Sequence, residues 1–350
     1  MTTMSCKMNN HAEERNQLCI CLARIAKERD IKNKEKRERG EKTQVKLDIF
    51  TIPNHIKRMF GEFLKTPKYT EIATLRGHTD CVYCLTLHEN KLYSGSDEII
   101  IRIRNTETYE EIATLRGHTD AVMCLTLHEN KLYSGSFDNT IRIWNTETYE
   151  LVATLRGHTD AVMCLTLHEN KLYSGSDSDD NTIRVWNTET YELVATLRGH
   201  TGGVYCLTLH ENKLYSGGLD KTIRIWDTET YEEIATLRGH TGGVCCLTLH
   251  ENKLFSGSND KTIRIWNTET YEEIVTLRAT TRMCRVNCLT LHENKLFSGS
   301  RDKTIRIWNT ETYEEIATLE GNTGYIFCLA IHKNKLYSGS NDKTMRIWNI

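Results

Sequence analysis

Apolar and polar residues alternate in short stretches along most of the chain. Between residues 111 and 148 the stretches are EIATL, AVMCLTLH, KLYSGS and TIRIW, and all four are rich in β-branched, aromatic or other apolar residues. Alternation over so few residues predicts four β-strands. The residues between the stretches, GHTD, HEN, FDN and NTE, are of the types that form turns.

The same four-strand unit recurs along the chain. Four strands every ~40 residues are typical of one blade of a β-propeller. A single blade cannot bury both of its faces, so the repeats predict an all-β ring of seven blades over residues 69–350. Copies of EIATLRGHTD, some of them imperfect, begin 40 or 42 residues apart at Glu71, Glu111, Leu151, Leu193, Glu233, Glu273 and Glu315.

The two ends of the repeat region complement each other. The chain ends with TMRIWNI at Ile350 and lacks a last EIATL stretch, whereas the repeats begin with YTEIATL at Tyr69. We expect the first stretch to supply the missing outer strand of the last blade. Strand pairing then closes the ring and removes its open edges.

Two residue pairs recur in the repeats, a Gly-His pair after the EIATL stretch and a Trp-Asp or Trp-Asn pair at the end of the TIRIW stretch. The pairs are Gly77-His78, Gly117-His118, Gly157-His158, Gly199-His200, Gly239-His240, Trp226-Asp227, Trp144-Asn145, Trp186-Asn187 and Trp266-Asn267. In these pairs the chain resembles the WD-repeat family, whose members form β-propellers that hold other proteins. The phrase KLYSGSxDKTIRIW is also similar to propellers of TRAF-type and F-box-type ubiquitin ligases.

The resemblance implies a hydrogen-bond network in each blade, from Trp to Ser, from Ser to His and from His to Asp. The same residue types form hydrolase triads. Because the set recurs in each blade together with a tryptophan, we interpret it as structural, with buried polar groups satisfying each other. Four copies are complete: His118, Ser134, Asp138 and Trp144; His158, Ser174, Asp180 and Trp186; His200, Ser216, Asp220 and Trp226; and His240, Ser256, Asp260 and Trp266.

Three blades depart from this set. The first blade has Glu98 in place of the aspartate and Arg104 in place of the tryptophan, and the sixth and seventh have Thr280 and Asn322 in place of the histidine. These blades are neighbours in the predicted ring, so we expect that part to be the least stable. Neutral drift explains the substitutions equally well.

Variation among the seven copies points to a binding surface. The HEN and NTETYE turns barely change, whereas the GHTD loops and the turns before the third strand differ from blade to blade. In the family these variable positions surround the top of the central channel and contact partners, and their residue types are common at interface centres. Ordinary exposed residues are the alternative. Ten residues are predicted to bind a partner: Tyr83, Met123, Phe137, Met163, Tyr205, Leu219, Arg285, Arg301, Tyr325 and Phe327.

Two features of the third blade and the arm invite a metal-site interpretation. In the acidic turn DSDDN, Asp179 precedes the network residue Asp180, but the glycine and the distant glutamate of a calcium loop are missing. Cys19 and Cys21 lack a second pair of zinc ligands. We therefore predict no metal site and no cofactor.

Charge is distributed unevenly. The net charge is −2, but residues 1–68 hold 16 Lys/Arg and 9 Asp/Glu, whereas the remainder holds 29 and 38, so the balances are +7 and −9. We predict that residues 1–68 form a separate charged arm, partly helical or disordered, with a helix between residues 51 and 65. The basic residues of the arm are mixed with glutamate and lack interleaved aromatics, which argues against nucleic-acid binding.

Other totals narrow the setting. The 13 cysteines include seven at one repeated strand position, where they are expected to be buried, and this use of cysteine favours a reducing compartment. We therefore expect a cytoplasmic protein, with the nucleus as an alternative. No run of 18 apolar residues is present, so we expect no membrane partner.

The leading functional prediction is a non-catalytic scaffold or adaptor that binds peptides or protein loops on the top face. A substrate-recognition subunit of a ubiquitin ligase complex is the alternative. The family's Trp-Asp-x-Arg docking pattern is missing, because Trp226-Asp227 is followed by Thr228 and Glu229. An enzyme is disfavoured because there is neither an unrepeated catalytic cluster nor a phosphate-binding glycine loop. The sequence does not identify the partner, the oligomeric state or the role of the arm.

Overall fold

The chain forms a ring of seven four-stranded antiparallel sheets, as the repeats predict. The computed structural model describes residues 69–278 and 284–350. The all-β propeller is thereby confirmed. Residues 1–68 with the predicted arm and helix, and Thr280 in blade 6, lie outside the described residues, so the boundary at residue 68 stays a prediction. Within the two described ranges, no helix has the length and apolar character needed to cross a membrane.

Each blade begins at the channel with its inner strand and ends at the rim with its outer strand. Blades 1 to 3 consist of β2 (Val82–His88), β3 (Lys91–Ser96), β4 (Ile100–Asn105) and β5 (Glu111–Arg116); β6 (Val122–His128), β7 (Lys131–Ser136), β8 (Ile141–Asn145) and β9 (Leu151–Leu155); and β10 (Val162–His168), β11 (Lys171–Ser176), β12 (Ile183–Asn187) and β13 (Leu193–Leu197).

The next three blades repeat the same order. They consist of β14 (Val204–His210), β15 (Lys213–Gly218), β16 (Thr222–Asp227) and β17 (Glu233–Arg238); β18 (Val244–His250), β19 (Lys253–Ser258), β20 (Ile263–Asn267) and β21 (Glu273–Leu277); and β22 (Val286–His292), β23 (Lys295–Ser300), β24 (Ile305–Asn309) and β25 (Glu315–Leu319).

Blade 7 is built from both ends of the repeat region. Its strands β26 (Ile326–His332), β27 (Lys335–Ser340) and β28 (Met345–Asn349) are completed by β1 (Thr70–Leu75). β1 pairs antiparallel with β28, with Thr70 opposite Asn349 and Leu75 opposite Met345. The predicted closure of the ring by the first stretch is therefore confirmed.

Neighbouring blades meet through a tightly packed group of three residues. In blade 3, Cys164 packs between Gly175 of the second strand and Val204 of the next blade, and its Sγ donates to the Val204 carbonyl at 3.4 Å. A Cβ atom on Gly175 would lie 2.6 Å from the Cys164 Sγ and 2.8 Å from Val204 Cγ1, so a larger residue does not fit. All seven repeated cysteines are buried and free, as predicted: Cys84, Cys124, Cys164, Cys206, Cys246, Cys288 and Cys328.

The HEN and NTETYE turns form one face of the ring, here called the bottom face. In blade 2, the Asn145 side chain accepts from the amides of Glu147 and Thr148, both at 2.8 Å. The Lys131 ammonium lies 5.2 Å from the ring centroid of Tyr191 in the next blade, a cation–π contact. The same contact occurs at all seven blade interfaces: Lys91–Tyr149, Lys131–Tyr191, Lys171–Tyr231, Lys213–Tyr271, Lys253–Tyr313, Lys295–Tyr69 and Lys335–Tyr109.

The opposite face, here called the top face, carries the inter-blade loops and the turns between second and third strands. In blade 2, Trp144 Nε1 donates to Ser134 Oγ at 2.9 Å, and His118 bonds Ser134 at 2.7 Å and Asp138 at 2.8 Å. Asp138 also accepts from the Thr119 amide of the loop at 3.0 Å. The corresponding side-chain bonds form in blades 3 to 5, among His158, Ser174, Asp180 and Trp186; among His200, Ser216, Asp220 and Trp226; and among His240, Ser256, Asp260 and Trp266.

The ionised carboxylate anchors this network. Burial opposes the ionisation of Asp138, but hydrogen bonds from His118, Thr140 and the Thr119 amide outweigh burial and hold its pKa below the ordinary value. A carboxylate only accepts hydrogen bonds, so a neutral histidine must donate from Nδ1 and accept the serine hydroxyl at Nε2. In blade 3, burial lowers the pKa of His158, which keeps its ring neutral at neutral pH.

Two of the substituted blades, 1 and 7, keep the bond between carboxylate and loop. In blade 1, Glu98 bonds His78 and accepts from the Thr79 amide at 3.0 Å. Glu98 thus replaces the aspartate, and only the tryptophan bond is missing there. In blade 7, Asp342 still accepts from the Thr323 amide at 3.0 Å, although Asn322 leaves both polar side-chain atoms buried without a partner.

We expect Gly175→Ala to lower the free energy of unfolding by about 1 to 3 kcal/mol, because the added methyl group overpacks the blade interface. Urea unfolding monitored by tryptophan fluorescence measures the change. Ser178→Ala, at an exposed position in the neighbouring turn, is the control and should change the free energy by less than about 0.5 kcal/mol. Equal effects of the two substitutions would contradict the tight contact.

We expect Asp138→Asn to lower the free energy of unfolding by about 1 to 3 kcal/mol near pH 6, because it weakens a buried charged acceptor. The lowered pKa of Asp138 stabilises the fold above the unfolded value of about 3.9, and this contribution is lost as the pH falls toward the folded value. The deficit should therefore shrink by about 1 kcal/mol between pH 5 and pH 3. Urea unfolding of wild type and variant at pH 5 and pH 3 measures this difference in the free energy of unfolding, with the exposed Asp179→Asn as control. A difference that does not change with pH would exclude an ionised Asp138 as the anchor.

Candidate functional site at the channel mouth

The inner strand of every blade carries a β-bulge at its top end. In blade 1, pairing passes from Val82–Ser96 directly to Cys84–Gly95, so Tyr83 has no partner on the second strand. A bulge redirects the side chain of the unpaired residue. The seven bulge residues are Tyr83, Met123, Met163, Tyr205, Cys245, Asn287 and Phe327.

These seven side chains surround one cavity, here called the mouth cavity. Its volume is about 330 Å³, and three further residues from the loops and turns complete its wall. Eight of the ten residues predicted to bind a partner lie here; their role in binding stays a prediction. The lining residues are Tyr83, Met123, Phe137, Met163, Tyr205, Cys245, Arg285, Asn287, Arg301 and Phe327.

The prediction missed two members of the wall, Cys245 and Asn287. Both stand at the repeated bulge position, and that position was the available signal. They were passed over because their residue types are less typical of interfaces than tyrosine or methionine. Cys245 is buried, with its Sγ 3.3 Å from Asn259 Oδ1, and Asn287 donates to the Ile326 carbonyl at 2.7 Å.

Two predicted residues lie outside the mouth cavity. Leu219 packs toward Gly243 of the next blade, where an added Cβ would lie 2.8 Å from a Leu219 methyl group. Tyr325 is 39% exposed and its ring centroid lies 5.6 Å from the Arg301 guanidinium carbon. Tyr325 lines a separate hollow beside Lys303. The structure thus does not group these two side chains with the other eight.

The residues of the predicted histidine networks do not line the mouth cavity either. Each network serine is completely buried, and its hydroxyl lies 2.7 to 2.9 Å from the histidine Nε2 and the tryptophan Nε1 of its own blade. A hydroxyl held in this way is closed to a substrate, so these sets are not accessible hydrolase triads. The four serines are Ser134, Ser174, Ser216 and Ser256.

Sequence order alone makes Asp179, which directly precedes the network residue Asp180, the counterpart of Phe137 in blade 3, and the structure corrects this. The residue before the turn aspartate bonds the carbonyl that precedes the inner strand, as Phe137 N does with Ala121 O at 2.9 Å. In blade 3 this bond is made by Asp177 N to Ala161 O at 3.0 Å, so the counterpart of Phe137 is Asp177 and not Asp179. The two extra residues of this blade follow Asp177, which sequence spacing did not reveal.

The acidic turn of blade 3 is bound internally. Asp177 accepts from the Tyr205 hydroxyl at 3.1 Å, and Asp180 belongs to the histidine network. The Asp179 amide donates to Asp160 at 3.0 Å. Across residues 69–278 and 284–350, no group of three or more His, Cys, Asp or Glu is arranged to hold a metal ion.

Aromatic contacts shape the wall of the cavity where blades 7 and 1 meet. Tyr83 of blade 1 and Phe327 of blade 7 pack edge to face, with ring centroids 5.1 Å apart. Burial raises the pKa of Tyr83 to about 12, and burial together with Asp177 raises the pKa of Tyr205 to about 12. Both phenols are therefore neutral at physiological pH, and the mouth cavity offers apolar surface with hydroxyl groups.

Comparisons with known proteins agree with this architecture. Among solved structures, the crystal structure of the computationally designed Ika8 protein is similar, with a TM-score of 0.65 and 24% sequence identity over 80% of this chain and 99% of that chain. This likeness concerns the fold alone. No curated protein sequence matches the chain significantly.

The family comparison is more specific. The pattern described as "WD domain, G-beta repeat" matches seven segments, one for each blade, and together they cover most of the chain. The segments are residues 69–103, 109–145, 149–187, 191–227, 231–267, 272–309 and 313–349. The chain therefore belongs to the WD-repeat (WD40) family.

Proposed function

We propose that the chain is a non-catalytic interaction scaffold that binds a peptide or loop of another protein in the mouth cavity. WD40 propellers generally serve as scaffolds for protein interactions. The observation that carries the proposal is that the seven copies differ at the bulge position and that the side chains of this position meet around one cavity. The bulge residues are Tyr, Met, Met, Tyr, Cys, Asn and Phe, whereas the HEN turn at the other end of the same strand is unchanged in six of the seven blades.

The physical argument rests on what the framework requires. The cysteine of each inner strand and the glycine of each second strand cannot vary, because their contacts leave no space. A bulge residue has no strand partner, so the framework tolerates many side chains there. Large apolar and aromatic side chains at such a position stabilise binding when a partner covers them. A cavity of about 330 Å³ accommodates one or two inserted side chains, near the lower end of ligand pockets at about 300 Å³.

The ubiquitin-ligase alternative lacks a supporting observation in the described residues. Asp227 caps a bottom-face turn, accepting from the amides of Glu229 and Thr230 at 2.9 and 2.8 Å. The family's docking arginine is replaced by Glu229, which is exposed and acidic. The general scaffold role is therefore the function we put forward.

The experiment begins with the purified 350-residue chain and a displayed library of random peptides. Dissociation constants of the selected peptides are then measured by fluorescence anisotropy. We expect Tyr83→Ala/Phe327→Ala to weaken binding at least about tenfold, because it removes two aromatic side chains from the wall of the cavity. Circular dichroism and the thermal midpoint establish that the variant is folded.

A matched control uses the other end of the same strands. His88 and His128 end β2 and β6 on the bottom face, so His88→Ala/His128→Ala should leave the dissociation constants unchanged. Equal weakening by both variants, or no weakening by the mouth variant, would place the binding surface elsewhere.

A further inference from the structure

Charged residues on the top face are separated by blade. The last residue of the GHTD loop is aspartate in blades 1 to 3 and glycine in blades 4, 5 and 7. The residue after the turn carboxylate, always with φ between 55° and 75°, is uncharged in blades 1 to 3 and lysine in blades 4 to 7. The four lysines are Lys221, Lys261, Lys303 and Lys343.

Blades 1 to 3 form an acidic sector, defined by six aspartates of the loops and turns. None of the six forms an ion pair within 4.0 Å with any residue of 69–278 or 284–350. Burial, and after it the negative charges of Asp80 and Asp120, raise the pKa of Asp97. The six are Asp80, Asp97, Asp120, Asp160, Asp177 and Asp179.

Blade 6 places two arginines on the opposite wall of the mouth cavity. Arg301 N donates to the Arg285 carbonyl at 3.1 Å, so the two residues are neighbours, and both side chains line the cavity. In the described part of the chain neither guanidinium has a carboxylate within 4.0 Å, whereas framework arginines such as Arg224 pair with a glutamate of the outer strand. The Arg301 guanidinium also lies over the Tyr325 ring, a contact that leaves its N–H groups free to donate. Two arginines on one wall of a cavity, neither paired with a carboxylate, favour a bound anion.

The ring sets the spatial order of these features. In a seven-membered ring, blade 6 lies across the channel from blades 2 and 3. The arginine pair therefore faces the aspartates of blades 2 and 3, and Asp97 of blade 1 adjoins Asp120 of blade 2. The apolar side chains of Met123, Phe137 and Met163 lie on the far wall of the cavity. A ligand lying across the mouth meets positive charge at one end, apolar surface in the middle and negative charge at the other.

We propose that the mouth cavity takes an extended peptide segment with an anionic group at one end, a bulky apolar side chain in the middle and lysine or arginine at the other end. The anionic group binds Arg285 and Arg301, the apolar side chain fills the cavity, and the basic end lies over Asp97, Asp177 and Asp179. This inference rests on the proposed function and adds the chemistry of the partner. A carboxylate and a phosphate are the two sources of the anionic group.

The test uses the full chain and a displayed random 12-residue library, selected in parallel on wild type, on Arg285→Gln/Arg301→Gln and on Asp97→Asn/Asp179→Asn. Asp97 and Asp179 are exposed and their carboxylates bond no other described residue, so neutralising them should preserve the fold. Glu192→Gln/Glu232→Gln, which neutralises two bottom-face carboxylates, is the matched control. Thermal midpoints verify the fold of each variant.

We expect wild-type peptides to carry acidic residues at one end and basic residues at the other, around an aromatic or aliphatic residue. Arg285→Gln/Arg301→Gln should weaken them at least about tenfold, and replacing the peptide's acidic residues by amides should weaken wild type but not this variant. Asp97→Asn/Asp179→Asn should also weaken the peptides, and replacing the peptide's basic residues by neutral ones should weaken binding to wild type but not to this variant. Glu192→Gln/Glu232→Gln should leave the dissociation constants unchanged. Replacing the acidic residue by phosphoserine distinguishes the sources: tighter binding assigns a phosphate, and weaker binding a carboxylate.

Two results would overturn the inference, and they differ in what they leave standing. Peptides without charge asymmetry, or peptides indifferent to both charge variants but weakened by Tyr83→Ala/Phe327→Ala, would exclude the charge-ordered partner and keep the binding role of the mouth. If the folded wild-type chain selects no peptide, both the charge-ordered partner and the binding role of the mouth cavity are excluded.

Discussion

The whole ring depends on the pairing of β1 with β28. This pairing joins the two ends of the repeat region, and it brings Leu75, Val82 and Tyr337 into one core shared by blades 7 and 1. Loop-closure entropy grows only with the logarithm of loop length, so one added strand is enough to hold a ring of this size. The closure also sets Tyr83 against Phe327, so the wall of the mouth cavity exists only in the closed ring.

Because the same packing recurs at all seven blade interfaces, it restricts which residues are allowed at the same position of every repeat. Each interface uses the same cysteine, the same glycine and a valine or isoleucine of the next blade, and added atoms meet neighbours below 3.0 Å at every such glycine. The Lys–Tyr contacts of the bottom face repeat in the same way. Between blades 6 and 7 the tyrosine is Tyr69, which comes from the opposite end of the repeat region. Side chains are free to diverge only where this packing does not reach, and the bulge positions at the channel mouth meet that condition.

The features that were predictable from the sequence are periodic. The four-strand unit, the seven blades, the closure and the buried cysteines all follow from a pattern that recurs every 40 or 42 residues. What was missed depends on how blades meet in space. The insertion after Asp177 shifts one turn position, and Leu219 and Tyr325 do not line the cavity. The cation–π contacts join residues of different repeats. The charge separation emerges only when the blades are placed in order around the channel.

The top-face loops keep their anchors even where the histidine network is substituted. Within residues 69–278 and 284–350, six blades show a hydrogen bond from a threonine amide of the loop to the turn carboxylate, including blade 1 with Glu98 and blade 7 with Asp342. In blade 7 this bond persists although Asn322 leaves two buried polar atoms unsatisfied, at a cost of about 1 to 3 kcal/mol each. The carboxylate, rather than the histidine, is thus the common element that fixes loop to turn. Because the loops are held in this way, the variable side chains of the mouth are fixed before a partner arrives, and the propeller loses less conformational entropy on binding than a mobile loop would lose.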